Sequence, residues 1–421
     1  MIAAEVYLWG TRVGYIVQNN ITDIPKFSYD KDFISLGAEI SPVVMPLSER
    51  IYSFPSLNNE TFHYLPGLLA DSLPDNFGTK LIETYLQSQG RTLESISSVE
   101  RLLYTGSRGM GALEYKPALD YTRTDDKSID INSLIQLASD ILNERENIHI
   151  DKNKDAMEQI IKIGTSAGGA RAKAIIAWNK ETGDIRSGQI QAGSGYEYWI
   201  LKFDGTETSK IPFTKIEYAY YLMAIDAGIN MSECRLWENS GKYHFMTKRF
   251  DRTDDKGQKI HMQSLGALTH FDYKMPGIHS YEETANIMYK LKLNQDEIEQ
   301  LFRRMVFNVM ARNQDDHVKN ISFLMDRNGK WKLSPAYDMT YAYDASNYWL
   351  SKHQMSINGK TDNLDKNDVI SCGKNMNITE NRINHIINEV QGAVQHWAEY
   401  AENAQVSEDI IDEIKNNFVL L

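Results

Sequence analysis

Cysteine is nearly absent from this chain of 421 residues: Cys234 and Cys372 stand far apart and in no metal-type spacing. That argues against a disulfide framework and a thiolate zinc site, and it fits a reducing cytoplasm. No window approaches the unbroken apolar length of a membrane helix, so no membrane partner is expected. The opening residues, MIAAEVYLWGTRVGYI, lack a basic n-region and a small-residue cleavage site, which predicts no signal peptide. Positive charge is in deficit, with 45 Lys and Arg against 57 Asp and Glu and a net charge of −12. A chain this acidic does not bind nucleic acid by general attraction to phosphates, so DNA could be reached only through a local basic patch or a DNA-binding partner. Internal repeats, low-complexity tracts and the GxxxxGK[ST] spacing of a Walker loop are also missing.

What remains is an ordinary globular composition, 42% hydrophobic and 24% charged. The length exceeds what one hydrophobic core usually holds, so two domains are expected. Alternation over Glu5–Ile16 around Gly10 predicts a hairpin, Leu81–Gln87 a helix stopped near Gly90, and the three glycines of Thr105–Tyr115 a tight loop before a short strand. The polar stretch Tyr121–Asn132 reads as a linker and Ser133–Asn143 as an amphipathic helix. Further on, Ala174–Trp178, Tyr198–Phe203 and Tyr243–Phe250 read as strands and Lys215–Ala227 as a helix. Ile298–Ala311 reads as a helix with Ile298, Leu301, Met305 and Val309 on one face. Ile321–Met325 and Trp331–Leu333 flank the turn signal Asp326-Arg327-Asn328-Gly329. A stripe from Ile383 to Trp397 predicts a helical end. Strands mostly precede helices, so the fold class is α+β: a small N-terminal α/β domain over 1–125 and a core over 126–421.

Four segments carry chemistry, and together they hold the parts of phosphoryl transfer. Gly164, Gly168 and Gly169, with Ser166, Ala170, Arg171, Ala172 and Lys173, form a Gly-rich loop running into a strand. Its amides could approach phosphate oxygens, although a plain Gly-rich connector reads the same way. Lys202 sits among Ile200, Leu201 and Phe203 in a strand, either facing phosphates or facing water from an edge. Asn313–Asn320 (NQDDHVKN) is a dense polar run between two apolar elements, with Asp315 and Asn320 at the separation of a kinase base and its metal-binding asparagine. The dull alternative is a surface loop with an aspartate capping a turn. Asp338, after the following hairpin, stands where a kinase has its metal-binding aspartate; a turn cap is the competing reading.

At these residues the chain resembles the HipA family of bacterial kinase toxins. SAGGARAK resembles the phosphate loop, RNQDDHVKNISF the catalytic loop, LSPAYDM the metal-binding segment and KRFDR (Lys248–Arg252) the hinge strand. RVGYI, LLADSLPDNFG and GSRGMGALEY resemble its N-terminal domain. The resemblance implies a divergent two-lobed kinase core, with an N-lobe at about 150–250 and a helical C-lobe at about 255–421. It implies ATP and Mg2+ as cofactors and Asp315 as base, with Asn320 and Asp338 on the metal. ATP would lie against Gly168–Lys173, Lys202, Lys248, Arg249, Phe250, His317, Val318, Lys319, Asn320, Tyr337 and Asp338. Lys248 stands where an acidic residue is expected, so the contact implied there is through backbone. Ser166 matches a self-phosphorylated serine whose modification switches the kinase off. The implied partners are a translation-related protein substrate such as an aminoacyl-tRNA synthetase, and a helix-turn-helix antitoxin that would supply any contact with DNA. Two other classes fit part of the pattern: a catalytically weak kinase-fold co-repressor or scaffold, and a small-molecule kinase.

Overall fold

The structure is a computed structural model and describes residues 1–88, 90–117, 173–189, 191–203, 211–239, 241–253 and 257–421. It is an α+β fold that divides into two compact units, each assembled from separated stretches of chain. The expected linker at 121–132, the helix at 133–143 and the Gly-rich loop at 164–172 lie outside the described residues.

The first unit comprises Met1–Ser209, Met246–Gln263 and Met325–Gly329. It opens with the expected hairpin, β1 (Ile2–Leu8) and β2 (Thr11–Gln18), joined at Gly10 in the left-handed region. With β3 (Lys26–Tyr29) and β4 (Leu113–Lys116) they make an antiparallel sheet in the order β3-β2-β1-β4. Alternation explains the face: Ala4, Val6 and Leu8 are buried while their neighbours are not. Gly14 is required where β3 closes on β2, because a Cβ there would lie 2.2 Å from the Ser28 carbonyl oxygen. Helices at Asn76–Ser88 and Ser98–Thr105 follow, the second capped by the Ser97 side chain on the Glu100 amide. Later in the unit, β5 (Lys173–Trp178) pairs antiparallel with β6 (Ile185–Ser187) and with β7 (Glu197–Lys202). β5 is buried along nearly its whole length, as a run of Ala, Ile and Trp predicts for a strand covered on both faces.

The second unit comprises Lys210–Phe245, Ser264–Leu324 and Lys330–Leu421 and is mainly helical. β8 (Cys234–Asn239) lies in it, and β9 (Lys242–Lys248) carries the chain back to the first unit at Met246. Three short strands complete the set: β10 (His261–Ser264), β11 (Ser322–Met325) and β12 (Trp331–Leu333). The helix Gln295–Met310 starts at a capping box, where the Asn294 side chain accepts from the Glu297 amide and Glu297 reciprocates. It packs against the helix Glu380–Gln395, whose buried Ile383, Ile386, Ile387, Val390 and Val394 form the expected stripe. Tyr220, in the helix Phe213–Asp226, meets Phe307 at 6.0 Å and Trp397 at 5.2 Å between ring centroids, both edge-on, and its hydroxyl donates to the Ala311 carbonyl at 2.6 Å. No helix among the described residues is long and apolar enough to cross a membrane.

Candidate phosphoryl-transfer site

The helix Gln295–Met310 positions the polar run that follows it. Arg312 adopts a left-handed conformation (φ 54°), turning the chain out of the helix, and the Asn313 amide donates back to the Asn308 carbonyl at 3.0 Å. From there the two neighbouring aspartates part company. Asp315 leaves its side chain 50% exposed, with His317 Nε2 3.8 Å from Oδ1. Asp316 is 3% exposed. Its Oδ2 accepts from the Tyr281 hydroxyl at 2.8 Å and lies 3.0 Å from His353 Nδ1, and its Oδ1 accepts from the Gln354 amide at 2.7 Å. Burial pushes the Asp316 carboxyl up, but His353 and these bonds outweigh it and hold the group below the usual range. The network continues as Asn308 donates to the Tyr281 hydroxyl at 3.0 Å and Asn313 to the Asn308 side-chain oxygen at 2.9 Å.

Asn320 closes the loop on itself: its side-chain amide donates to the Asp315 carbonyl at 2.8 Å, and its backbone amide to the His317 carbonyl at 2.8 Å. Val318 is buried, and its carbonyl accepts from the Gly266 amide. Tyr273 borders the loop, with its ring 5.4 Å from that of His317 and the Lys319 ammonium 4.8 Å above it. Tyr337 ties the next segment in, its hydroxyl donating to the Lys319 carbonyl at 2.6 Å and lying 2.5 Å from Ser322 Oγ. Asp338 follows with φ 53°, a conformation that Asp tolerates better than most residues and that strain at functional positions often uses.

Asn320 and Asp338 line one cavity of 20 Å³, together with Arg304, Asn308, Asn313 and Asp316. That is room for about one water-sized particle. A carboxamide and a carboxylate are oxygen donors of the kind a hard divalent cation takes. Among the described residues no cluster of three or more His, Cys, Asp or Glu could hold a metal by itself. Magnesium in phosphoryl-transfer sites uses one or two protein oxygens and completes its shell from phosphates and water, so this donor set fits it.

The remaining expected contacts belong to the first unit. Lys173 and Lys202 face each other across β5 and β7, but their surroundings differ. Lys173 is 2% exposed, and its ammonium lies 2.8 Å from Asp75 Oδ2. Lys202, at the end of β7, is half-buried. The Lys248 ammonium donates to Glu197 at 3.1 Å, and Lys180 lies 2.6 Å from the same carboxylate. Burial alone would raise the Glu197 carboxyl; the two ammonium groups turn the balance and lower it. Arg249 is engaged inside the unit: it grips Asp251 with two bonds of 2.8 Å and donates to the Gly188 carbonyl at 3.1 Å. Asp251 also takes Arg252 and the Gly111 amide, and despite burial the two guanidinium groups hold it far below the ordinary carboxylate range. Phe250 is half-buried. Ser166, Gly168, Gly169, Ala170, Arg171 and Ala172 lie outside the described residues.

Sequence reasoning did not find Arg304, Tyr281, Asn308 or His353. Asn313 and Asp316 stand inside a run it singled out, but without a role. Only the density of polar side chains between two apolar elements pointed to that pair.

Comparisons with known proteins reach both units. Residues 4–116 match the family model described as HipA N-terminal domain, and residues 165–397 the one described as HipA-like C-terminal domain. The fold superposes on HipA of Shewanella oneidensis MR-1, solved with HipB and operator DNA as a toxin–antitoxin system, at a TM-score of 0.69 and 18% identity. That alignment covers 98% of this chain and 95% of that one, and at this identity it speaks for the fold. A candidate kinase of Haemophilus influenzae is 34% identical over 110 residues, 24% of this chain; the chain spans about a third (32%) of that relative's length.

Proposed function

The chain belongs to the HipA family, and from that premise we propose that it is an ATP- and Mg2+-dependent serine/threonine protein kinase, the toxin of a toxin–antitoxin pair. The observation that carries this reading is a cavity lined by both Asn320 and Asp338, which come from different segments, beside a loop that Asn320 closes onto Asp315.

The roles follow from the chemistry of each group. Asp315 is half exposed, so its carboxylate can reach an acceptor hydroxyl from solvent. It takes the hydroxyl proton as the oxygen bonds to the γ-phosphorus and the bond to the β-phosphate oxygen breaks, releasing ADP. Asn320 and Asp338 would hold Mg2+, which neutralises charge on the phosphates. Lys202 would meet the phosphates as a point charge. Gly168–Lys173 would cover the nucleotide, but Lys173 has Asp75 as its partner, so its part there is to anchor the loop's exit. Lys248, Arg249 and Phe250 would run past the adenine; both basic side chains are engaged and the Arg249 amide donates to the Tyr198 carbonyl at 2.8 Å, so the contact would fall to other backbone groups of the segment. His317, Val318, Lys319 and Tyr337 shape the phosphate side.

Ser166 is proposed as the self-phosphorylation site. A phosphate there adds about −1.5 to −2 charge beside the nucleotide's own phosphates and repels ATP. The acceptor is proposed to be a protein of translation, and the inhibitor a helix-turn-helix protein that links this acidic chain to DNA in the cytoplasm. The Shewanella complex supports that partner class.

Radiolabelled ATP with Mg2+ and a cell lysate tests the reading, followed by mass spectrometry of the labelled residues. Phosphoserine or phosphothreonine on a protein is expected, with loss of label for Asp315→Asn. Label on a small molecule alone, or undiminished label with that variant, would overturn it. Ser166→Ala should keep ATP binding and lose self-inactivation.

A further inference from the structure

Large apolar side chains left in water gather at one place in the second unit. Met275 (50% exposed) and Ile278 (61%) stand in the loop 270–280, and Tyr348 (65%) and Trp349 (43%) in the segment 344–351. Among the described residues of this unit the other large apolar side chains so exposed are Ile211, Ile225 and Leu420, one to a segment. Single exposed apolar residues are ordinary, whereas a group of them marks a surface that something covers.

One buried residue, Gln354, holds both segments. Its carbonyl accepts from the Gly277 amide at 2.8 Å, and its side-chain amide donates to the Trp349 carbonyl. Its own backbone amide donates to Asp316 Oδ1 at 2.7 Å, and Asp316 is the chain neighbour of Asp315. Both apolar segments are therefore anchored one hydrogen bond and one peptide unit from the group proposed above as the base. They are also built rather than slack. Asp344 Oδ1 accepts from the Ser346 amide at 2.9 Å and from its hydroxyl at 2.7 Å, and Asn347 Oδ1 accepts from the Trp349 amide at 2.9 Å. The Tyr348 and Trp349 rings meet edge-on at 5.1 Å. Gly277 turns the other loop at φ 79°, where a side chain would be strained and its Cβ would lie 3.0 Å from the Thr361 methyl. Aromatic side chains on a fixed backbone lose little freedom when a partner covers them.

The occupant follows from where the surface lies. An acceptor hydroxyl reaches the half-exposed Asp315 from solvent. A small acceptor needs nothing beyond that carboxylate and its immediate surroundings. A polypeptide in extended conformation advances about 3.3 Å per residue, so residues a few places from its hydroxyl come level with the segments anchored at Gln354. We propose that Met275, Ile278, Tyr348 and Trp349 form the docking surface for the acceptor polypeptide and take apolar or aromatic side chains flanking its phosphorylated serine or threonine. This rests on the function proposed above and narrows its substrate class.

The test uses the full chain with radiolabelled ATP, Mg2+ and a cell lysate as the acceptor pool, and reads initial label transfer against lysate concentration. Four proteins are compared: wild type, Ile278→Ser/Trp349→Ser, Met275→Ser/Tyr348→Ser, and Ile225→Ser as a control outside both segments. Each pair should need at least about fivefold more lysate for half-maximal transfer, with the plateau rate and the affinity for a non-hydrolysable ATP analogue within about twofold of wild type. Ile225→Ser should behave as wild type. Labelled serines and threonines should have more apolar neighbours than unlabelled ones in the same proteins. Half-saturation within twofold of wild type in a folded pair would overturn the proposal, as would a loss confined to the plateau, an equal loss in Ile225→Ser, or labelled sites without that enrichment. If one pair does not fold, the other decides. A wild-type dimer in sedimentation that both pairs render monomeric would assign the surface to a second copy and overturn it too. A wild-type chain that labels no protein refutes the kinase reading itself; protein label with unchanged half-saturation in the pairs refutes only the docking surface.

Discussion

Asp315 and Asp316 are adjacent and chemically identical, yet replacing each by asparagine should give opposite results. Asp316 is buried and accepts from Tyr281 and Gln354 while facing His353. An amide in its place keeps one acceptor oxygen and turns a donor toward groups that need an acceptor. Leaving a buried donor without its acceptor costs about 1–3 kcal/mol, and more where the lost acceptor is a charged group. Three groups face this carboxylate and asparagine retains part of the bonding, so about 3 kcal/mol is expected for Asp316→Asn. Asp315 is half exposed, and a substitution there should stay within about 0.5 kcal/mol. Urea titration followed by tryptophan fluorescence measures the first quantity, and phosphoryl transfer from labelled ATP the second. Asp316→Asn should shift the unfolding midpoint strongly, whereas Asp315→Asn should leave it in place and abolish transfer. Matching midpoints for the two variants would refute the division of roles.

The same group predicts an acid limb. The folded Asp316 carboxyl titrates below its unfolded value of about 4, so its contribution is present above that pH and fades as pH falls through the lower, folded value; Asp316→Asn should flatten the stability–pH curve there. Asp75→Ala leaves the buried Lys173 ammonium without its partner, and about 3–5 kcal/mol of stability should be lost in thermal or urea unfolding. Gly188→Ala places a Cβ 2.5 Å from the Ile176 carbonyl, a backbone clash expected to cost about 1–3 kcal/mol by the same measurement.

Much of this was legible in the sequence. The hairpin at Gly10, the helix ending at Met310, the turn at Asp326–Gly329 and the C-terminal stripe all announce themselves by period and punctuation. The strands Lys26–Tyr29, Ile185–Ser187, Cys234–Asn239 and His261–Ser264 did not, because polar and charged residues interrupt their apolar content and leave no run to recognise. Lys173 read as a phosphate ligand from its place after the glycines; its partner Asp75 is remote in sequence and nothing local signals the pairing. Arg304 was missed for a different reason. The apolar face of its helix runs through Ile298, Leu301, Met305 and Val309, and period marks no other side, whereas the structure also buries Arg303, Arg304 and Asn308.

The first unit draws on three stretches of chain, and its buried bonds bridge them. The Gly111 amide reaches Asp251, the Trp9 indole reaches the Lys259 carbonyl, and Lys259 reaches Glu114. A ribosome adds residues from the amino end at about 5–20 per second, so the opening hairpin emerges long before Asp251, Lys259 and Met325–Gly329 exist to complete its surroundings. During synthesis the early portion must wait, partly finished, while Lys210–Phe245 of the second unit is being made. A fragment stopped at Ser209 would therefore leave the Gly111 amide and the Trp9 indole bonded to water in place of Asp251 and the Lys259 carbonyl.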